Sequence, residues 1–150
     1  MPASSTINDF LASKTIAVVG VSRSGRKFGN TILSTLRTKG YHVVPVNPSA
    51  ENIGGERCYP DLRSLPSPVD GVITVVPPGK TVGVVREAIA AGIRRVWMQQ
   101  GSASDEAVRL CEENGISCIH NECILMYAAP VKGIHGFHRW LWRAIGRLRT

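Results

Sequence analysis

The first fifty residues constrain the fold of this chain more than any other stretch, because they form one strand–turn–helix–strand pattern. Thr15 to Gly20 is a short apolar run typical of a buried strand, and a helical pattern extends from Asn30 to about Lys39. A second strand follows from Tyr41 to Val46. A glycine turn between a buried strand and a helix directs backbone N–H groups toward an anion, and the helix dipole adds to the attraction. The pattern therefore predicts an anion site in the turn from Val21 to Gly29.

The residues of this turn depart from the usual dinucleotide fingerprint. That fingerprint is G-x-G-x-x-G, followed by an acidic residue near the end of the second strand that binds the ribose hydroxyls. Ser22 stands in place of the second glycine, and the second strand ends in Asn47 and Pro48 rather than in an acid. The turn also carries three cations, which are Arg23, Arg26 and Lys27. These differences favour a ligand with more phosphate than a plain dinucleotide.

Strands and helices alternate along the rest of the chain at the spacing of a doubly wound sheet. Further strands are predicted at 71–76, 95–100 and 116–120, with helices at 5–11, 80–91 and 104–114 and one helical turn at 61–65. The strands are short apolar runs, as expected when helices cover both faces of a sheet. We therefore predict an α/β, Rossmann-like fold with a mostly parallel five-stranded sheet and helices on both faces.

The carboxyl ends of the predicted strands are the places where such a sheet binds ligands. Asn47 and Pro48 offer a neutral hydrogen-bonding group and a rigid ring suited to adenine, although a simple strand-ending turn has the same composition. Pro77 and Pro78 remove two backbone donors and leave a fixed apolar wall, or merely stop a strand. Lys80 is either a phosphate contact or a solvated lysine at a helix start.

Six short motifs follow one another in order within residues 10–126. They are Val18-Val-Gly-Val-Ser22, Gly40-Tyr-His-Val-Val-Pro-Val-Asn-Pro48, Val69-Asp-Gly-Val-Ile73, Val76-Pro-Pro78, Val96-Trp-Met-Gln-Gln-Gly101 and Asn121-x-Cys123. Each motif is weak alone, but the ordered set resembles the small CoA-binding domain family. That family is similar to the amino-terminal domain of the succinyl-CoA synthetase alpha subunit.

The resemblance implies a domain that binds coenzyme A or an acyl-CoA as its cofactor. The pyrophosphate would lie on Gly20, Val21, Ser22 and Gly29, helped by Arg23, Arg26 or Lys27. The adenosine would lie against Asn47, Pro48, Val76 and Pro77, and Pro78 and Lys80 are further candidate contacts of the cofactor. The pantetheine arm would run toward Gln100, Gly101, Asn121 and Cys123, where the Cys123 thiol is a candidate contact for the thiol of CoA.

We expect neither a catalytic site nor a metal site in this chain. His120 and Glu122 follow one strand at positions i and i+2, a spacing that rarely converges on one reacting atom. The four cysteines show no C-x-x-C pair. The alternative to a CoA-binding domain is an NAD(P)-binding, oxidoreductase-type domain, in which the three cations of the first turn would hold a 2′-phosphate.

The carboxyl-terminal residues 134–150 form a separate, basic pattern after a domain predicted at 1–133. Residues 123–150 carry five Lys or Arg side chains and no acidic one. An apolar stripe of helical spacing is formed by Phe137, Trp140, Leu141, Ala144, Ile145 and Leu148. We predict an amphipathic helix that packs on the sheet or on a second subunit. The alternatives are contact with a membrane surface or with a partner protein.

Composition and chain start predict a cytoplasmic protein. No apolar run approaches the roughly 20 residues of a membrane span. Residues 1–6 lack the basic and apolar regions of a signal peptide. A nucleic-acid patch is a weaker option for the basic tail, because its aromatic residues and cations are not spread over a platform, and we expect no nucleic-acid partner.

Overall fold

A computed structural model describes residues 4–22, 27–53 and 55–128 of the chain. The helices are α1 (Ser4–Leu11), α2 (Phe28–Thr38), α3 (Pro78–Ala90) and α4 (Asp105–Glu113). The strands are β1 (Thr15–Val19), β2 (His42–Val46), β3 (Asn52–Ile53), β4 (Glu56–Arg57), β5 (Gly71–Thr74), β6 (Arg95–Gln99) and β7 (Ser117–Glu122). Two 3-10 turns lie at Leu62–Ser64 and Ile124–Met126. Arg23, Arg26 and the predicted helix at 134–150 lie outside the described residues.

Five of these strands form one parallel sheet in the order β2-β1-β5-β6-β7, which confirms the predicted α/β, Rossmann-like fold. Ile16 of β1 lies opposite Val43 on one side and Gly71 on the other. The chain therefore leaves β1 in one direction to β2 and returns across β1 to β5. This reversal places the switch point of the sheet, where ligands of such folds bind, between β1 and β5.

Helices cover both faces of the sheet because successive strand residues point to opposite sides. One core is built on Ile16, Val18 and Trp97 and is covered by α1 and α2. The other is built on Ala17, Val96 and Met98 and is covered by α3 and α4. All six side chains are fully buried. The prediction, made from the apolar runs, that helices cover both faces of the sheet is thus confirmed.

Trp97 anchors the first core. Its ring packs edge-on against Phe10, with the ring centres 5.4 Å apart, and lies 5.9 Å from the ring of Tyr127. The indole Nε1 donates a hydrogen bond of 3.0 Å to the carbonyl of Glu122, so its polar atom is satisfied within the core.

Element boundaries differ from the predicted ones by one or two residues. The third predicted strand, at 71–76, ends at Thr74, and α3 begins at Pro78 instead of Lys80, since proline fits the first turn of a helix. Helix α2 begins at Phe28 and not at Asn30, and the last strand extends to Glu122. The polar connection also contains a small antiparallel pair, β3–β4, which was not predicted and in which Asn52 lies opposite Arg57.

The entry into β1 depends on a carboxylate, which gives a pH-dependent prediction. Asp70 Oδ2 accepts hydrogen bonds from the backbone N–H groups of Thr15 and Lys14, at 3.1 and 2.9 Å. These bonds hold the pKa of Asp70 below its ordinary value of 3.8. A lowered pKa in the folded state stabilises the fold above pH 3.8, and the contribution is lost as the pH falls through the folded-state pKa. Asp70→Asn is therefore expected to lower the urea midpoint at pH 7 and to match the wild type in strong acid. An equal difference at both pH values would contradict this.

Candidate functional site

A cleft of about 540 Å³ opens at the switch point between β1 and β5. Its walls come from the carboxyl ends of β1, β2 and β5, from the 3-10 turn at Leu62–Ser64 and from one side of α3. Nine of the residues predicted to bind the ligand line it, and these are Gly20, Val21, Ser22, Lys27, Asn47, Pro48, Val76, Pro77 and Lys80. The structure therefore brings together the predicted residues of the first three strand ends.

The turn after β1 is packed so closely that only glycine fits at two positions. Gly20 has a φ of 119°, and a Cβ there would lie 2.5 Å from the carbonyl oxygen of Val75. A Cβ on Gly29 would lie 2.5 Å from the carbonyl oxygen of Gly20. The first turn of α2 thus rests directly on the backbone of the turn. Gly29 is buried behind the turn and does not line the cleft.

Asn30, which was not among the predicted site residues, holds the start of this turn in place. Its Oδ1 accepts a hydrogen bond of 2.8 Å from the backbone N–H of Ser22, and its Nδ2 donates one of 3.0 Å to the carbonyl of Ser22. One side chain therefore clamps both backbone groups of the residue that stands where the dinucleotide fingerprint has its second glycine. The sequence did contain one indication of this role, since an asparagine in the first turn of a helix can form hydrogen bonds with nearby backbone groups.

Asn47 joins the end of β2 to the same turn. Its Nδ2 donates a hydrogen bond of 2.6 Å to the carbonyl of Val21, and its Oδ1 accepts one of 2.7 Å from the N–H of Ser49. Its backbone N–H donates to the carbonyl of Tyr59 at 2.9 Å. The amide of Asn47 thus braces two walls of the cleft, while Pro48 beside it is exposed.

A buried hydroxyl cluster fixes the end of β5 against α3. The Oγ1 of Thr74 lies 2.8 Å from the Oγ of Ser102, and the Oγ1 of Thr81 lies 3.1 Å from the same atom. Thr81 also donates a hydrogen bond to the carbonyl of Ser102. All three residues are at most 2% exposed, so these polar groups satisfy one another inside the protein. The cluster joins three separate stretches of chain, which no local sequence pattern reveals.

Charges of both signs border the cleft. Lys27 and Lys80 are exposed and stand on opposite sides, at the starts of α2 and α3. Asp61 Oδ1 accepts hydrogen bonds from the side chain and the N–H of Ser64, and these lower the pKa of Asp61. Glu87 Oε1 accepts one of 2.9 Å from the N–H of Leu62. Both carboxylates therefore hold the 3-10 turn in place.

The residues predicted to guide a pantetheine arm do not line this cleft. Gln100 and Gly101 are exposed beyond the end of β6, and Asn121 is exposed in β7. Cys123 is half-buried and precedes the second 3-10 turn. Pro78 is exposed as the first residue of α3 and lies outside the cleft lining too. A role of these five residues in binding stays a prediction.

A bulge in β7 separates the two candidate acid–base groups of that strand. His120 lies opposite Met98 and Glu122 opposite Gln99, so Asn121 is an extra residue, with a φ of 64°. The His120 ring lines a small cavity beside α4, whereas the Glu122 carboxylate accepts a hydrogen bond from the hydroxyl of Tyr127 in the first core. Within residues 4–22, 27–53 and 55–128, no three His, Cys, Asp or Glu side chains are grouped as metal ligands.

In the same part of the chain, no helix has the length and apolar character needed to cross a membrane.

Relatives of the chain share this architecture. Among solved structures, a conserved hypothetical protein from Pyrococcus furiosus is 41% identical, with a TM-score of 0.70 over 74% of this chain and 96% of its own. A hypothetical protein from Pyrococcus horikoshii is 32% identical, with a TM-score of 0.78 over 82% of this chain and 87% of its own.

Sequence relatives include both a small protein and a large ligase. YneT of Bacillus subtilis is 29% identical over 87% of this chain and 98% of its own length. Acetate–CoA ligase (ADP-forming) I of Archaeoglobus fulgidus is 32% identical over 75% of this chain, but the match spans only 18% of that ligase. The family model of the CoA binding domain matches residues 14–129. The chain therefore belongs to the CoA-binding domain family.

Proposed function

We propose that the cleft between β1 and β5 binds coenzyme A or an acyl-CoA and that this binding is the function of the domain. The observation that carries the proposal is the turn after β1. Gly20 lets the backbone after β5 pack directly on this turn, Asn30 clamps Ser22, and Lys80 lines the same cleft. Such a turn suits a pyrophosphate, which needs close backbone approach and positive charge.

The pyrophosphate would lie at the amino-terminal end of α2. This helix has eleven residues, and no acidic side chain stands in its first turn to compete for the anion. The partial positive charge of the helix end, the exposed Lys27 and the Ser22 hydroxyl all favour a phosphate at this place. Arg23 and Arg26 of the same turn are the cations that we expect to add to this attraction.

The end of β2 favours CoA over NAD. The ribose of NAD calls for a carboxylate at this position, and the chain has Asn47, whose amide already binds Val21 and Ser49. Among the described residues that line the cleft, the acids are Asp61 and Glu87, and both bond the 3-10 turn. A ligand rich in phosphate fits this distribution of charge better than a dinucleotide does.

The pantetheine arm would leave the cleft along the carboxyl ends of β5 and β6. Gln100 and Gly101 lie at the end of β6, and Asn121 and Cys123 follow at the end of β7. We propose that these groups contact the arm and that the thiol end of CoA comes near Cys123. The name of the ligase from Archaeoglobus, an acetate–CoA ligase, supports CoA as the ligand.

Ligand-dependent unfolding tests the function. Ligand at a hundredfold excess over its Kd stabilises the folded state by about 2.7 kcal/mol. CoA and acetyl-CoA are therefore expected to raise the melting temperature by several degrees, whereas NAD, NADP and ATP should raise it less. Titration calorimetry gives the Kd values. A shift with NADP and none with CoA would replace this proposal with the oxidoreductase-type alternative.

Charge variants provide the matched control. Lys27→Gln and Lys80→Gln are expected to weaken CoA binding several-fold each, with the loss shrinking at high salt because screening acts on exposed charges. Arg86→Gln removes an exposed cation from the same helix as Lys80, but Arg86 does not line the cleft. It should leave the Kd unchanged. An equal loss in all three variants would mean that net charge, and not the cleft, determines binding.

A further inference from the structure

Gly83 is an unexplained glycine in the interior of α3. A glycine inside a helix is less stable than alanine by about 0.5–1 kcal/mol. A Cβ at Gly83 would meet no heavy atom within 4 Å, so the described residues leave room for a side chain there. Gly83 is exposed and lines the cleft. Because the packing of the described residues does not require glycine here, the exposed backbone at Gly83 indicates that a ligand in the cleft approaches this helix closely.

The neighbours of Gly83 along the helix form one stripe toward the cleft. Lys80, Gly83, Val84 and Glu87 all line it, at the spacing i, i+3, i+4 and i+7 of a single helix face. At 1.5 Å per residue, Lys80 and Glu87 are about 10 Å apart along the axis. The stripe thus presents a cation, then a flat apolar surface, then a carboxylate. That order matches phosphate, nucleoside and exocyclic amine along an adenosine phosphate.

The opposite wall is apolar and rigid. Pro48 and Pro60 are exposed prolines on the β2 side of the cleft, because Tyr59 pairs with Val46 at the end of β2. Val46 itself is 2% exposed and also lines the cleft. Proline rings and a bare glycine backbone on facing walls leave a flat slot, which suits a planar aromatic ring better than a sugar or a phosphate.

Glu87 offers an acceptor at the end of this slot. Its Oε1 is fixed by the hydrogen bond from the N–H of Leu62, at 2.9 Å. Its Oε2 accepts no hydrogen bond from the described residues. A carboxylate oxygen held in this way can accept a hydrogen bond from an amino group on a planar ring.

We propose that the adenine ring of CoA packs against the backbone of α3 at Gly83 and donates its exocyclic amino group to Oε2 of Glu87. The inference rests on the proposed function and goes beyond it, because it assigns the base to α3 and makes Glu87 the residue that selects adenine.

The test uses two glycines of the same helix. Gly83→Ala is expected to raise the melting temperature, since alanine favours the helix and has space, and to weaken CoA binding about tenfold; Gly83→Leu should weaken it further. A Cβ at Gly79 would also meet nothing within 4 Å, but Gly79 does not line the cleft. Gly79→Ala and Gly79→Leu should therefore keep the wild-type Kd. A Gly83→Ala protein that binds CoA as tightly as the wild type overturns the proposal.

A second variant tests the amino contact. Glu87→Gln keeps an oxygen for the N–H of Leu62 but can place an NH₂ group opposite the adenine amine, so the Kd for CoA should rise five- to tenfold. The ethenoadenine analogue of CoA lacks that amino group and should bind the wild type and Glu87→Gln with the same, weaker affinity. Equal CoA affinity in the two proteins overturns the contact. If the wild-type chain binds no CoA, the proposed function itself fails along with this inference.

Discussion

Replacement of Gly20 by alanine is expected to destabilise the protein by about 3–5 kcal/mol and to abolish CoA binding. Two costs combine. An L residue is strained at a φ of 119°, and the new Cβ would lie 2.5 Å from the backbone oxygen of Val75, which cannot move without displacing the end of β5. Relief of the contact would open the turn after β1 at the centre of the cleft. Urea unfolding measures the first effect and titration calorimetry the second.

Gly40→Ala is the matched control for this variant. Gly40 also has a left-handed φ, of 95°, but a Cβ there meets nothing within 4 Å. Its substitution should cost about 1–2 kcal/mol, the backbone strain alone, and leave CoA binding intact. If both variants lost the same stability, the close approach between Gly20 and Val75 would not be what requires glycine in the turn.

Asn30→Asp is expected to weaken CoA binding about a hundredfold, or about 2.7 kcal/mol, while the protein still folds. The side chain keeps its shape, and one oxygen still accepts from the N–H of Ser22. In the wild type, the Nδ2 group of Asn30 donates to the carbonyl of Ser22. In the variant a carboxylate oxygen replaces Nδ2, so this oxygen and the carbonyl oxygen of Ser22 repel each other. The variant also sets a negative charge beside the proposed pyrophosphate site. Calorimetric titration with CoA at low and high salt measures the loss.

Thr31→Asp separates the clamp from the charge. Thr31 is the exposed next residue of α2, so aspartate there adds the same charge without disturbing the bonds to Ser22. We expect a loss of only a few-fold, which high salt largely removes. If Thr31→Asp weakened binding as much as Asn30→Asp, the clamp on Ser22 would contribute nothing beyond electrostatics.

The sequence predicted the sheet and its helices because their signal is local. The run from Thr15 to Val19 has no polar residue after its first position, which is typical of a strand with two covered faces. The helices predicted at 80–91 and 104–114 are also present, and local chemistry explains their ends. The Ser104 side chain accepts from the N–H of Ala107, and Gly92 has a φ of 75° just past α3.

The contacts that shape the site could not be predicted from the sequence, because they join residues that are distant along the chain. Asn30 and Ser22 are eight positions apart, and Thr74 and Ser102 are twenty-eight apart. Polar residues of these types are common on surfaces, so only the fold shows that they bond each other. The bulge at Asn121 was equally hidden, since a single extra residue leaves the apolar pattern of a short strand almost unchanged.

The double role of the Asn47 amide bears on the speed and thermodynamics of ligand capture. One side chain joins the loop after β1 to the loop after β2, so these two walls form a single unit before any ligand arrives. Their conformational entropy is lost when the chain folds and not when the ligand associates. An encounter complex then needs little rearrangement on this side, and any adjustment during ligand entry falls to the facing wall of α3 and the 3-10 turn.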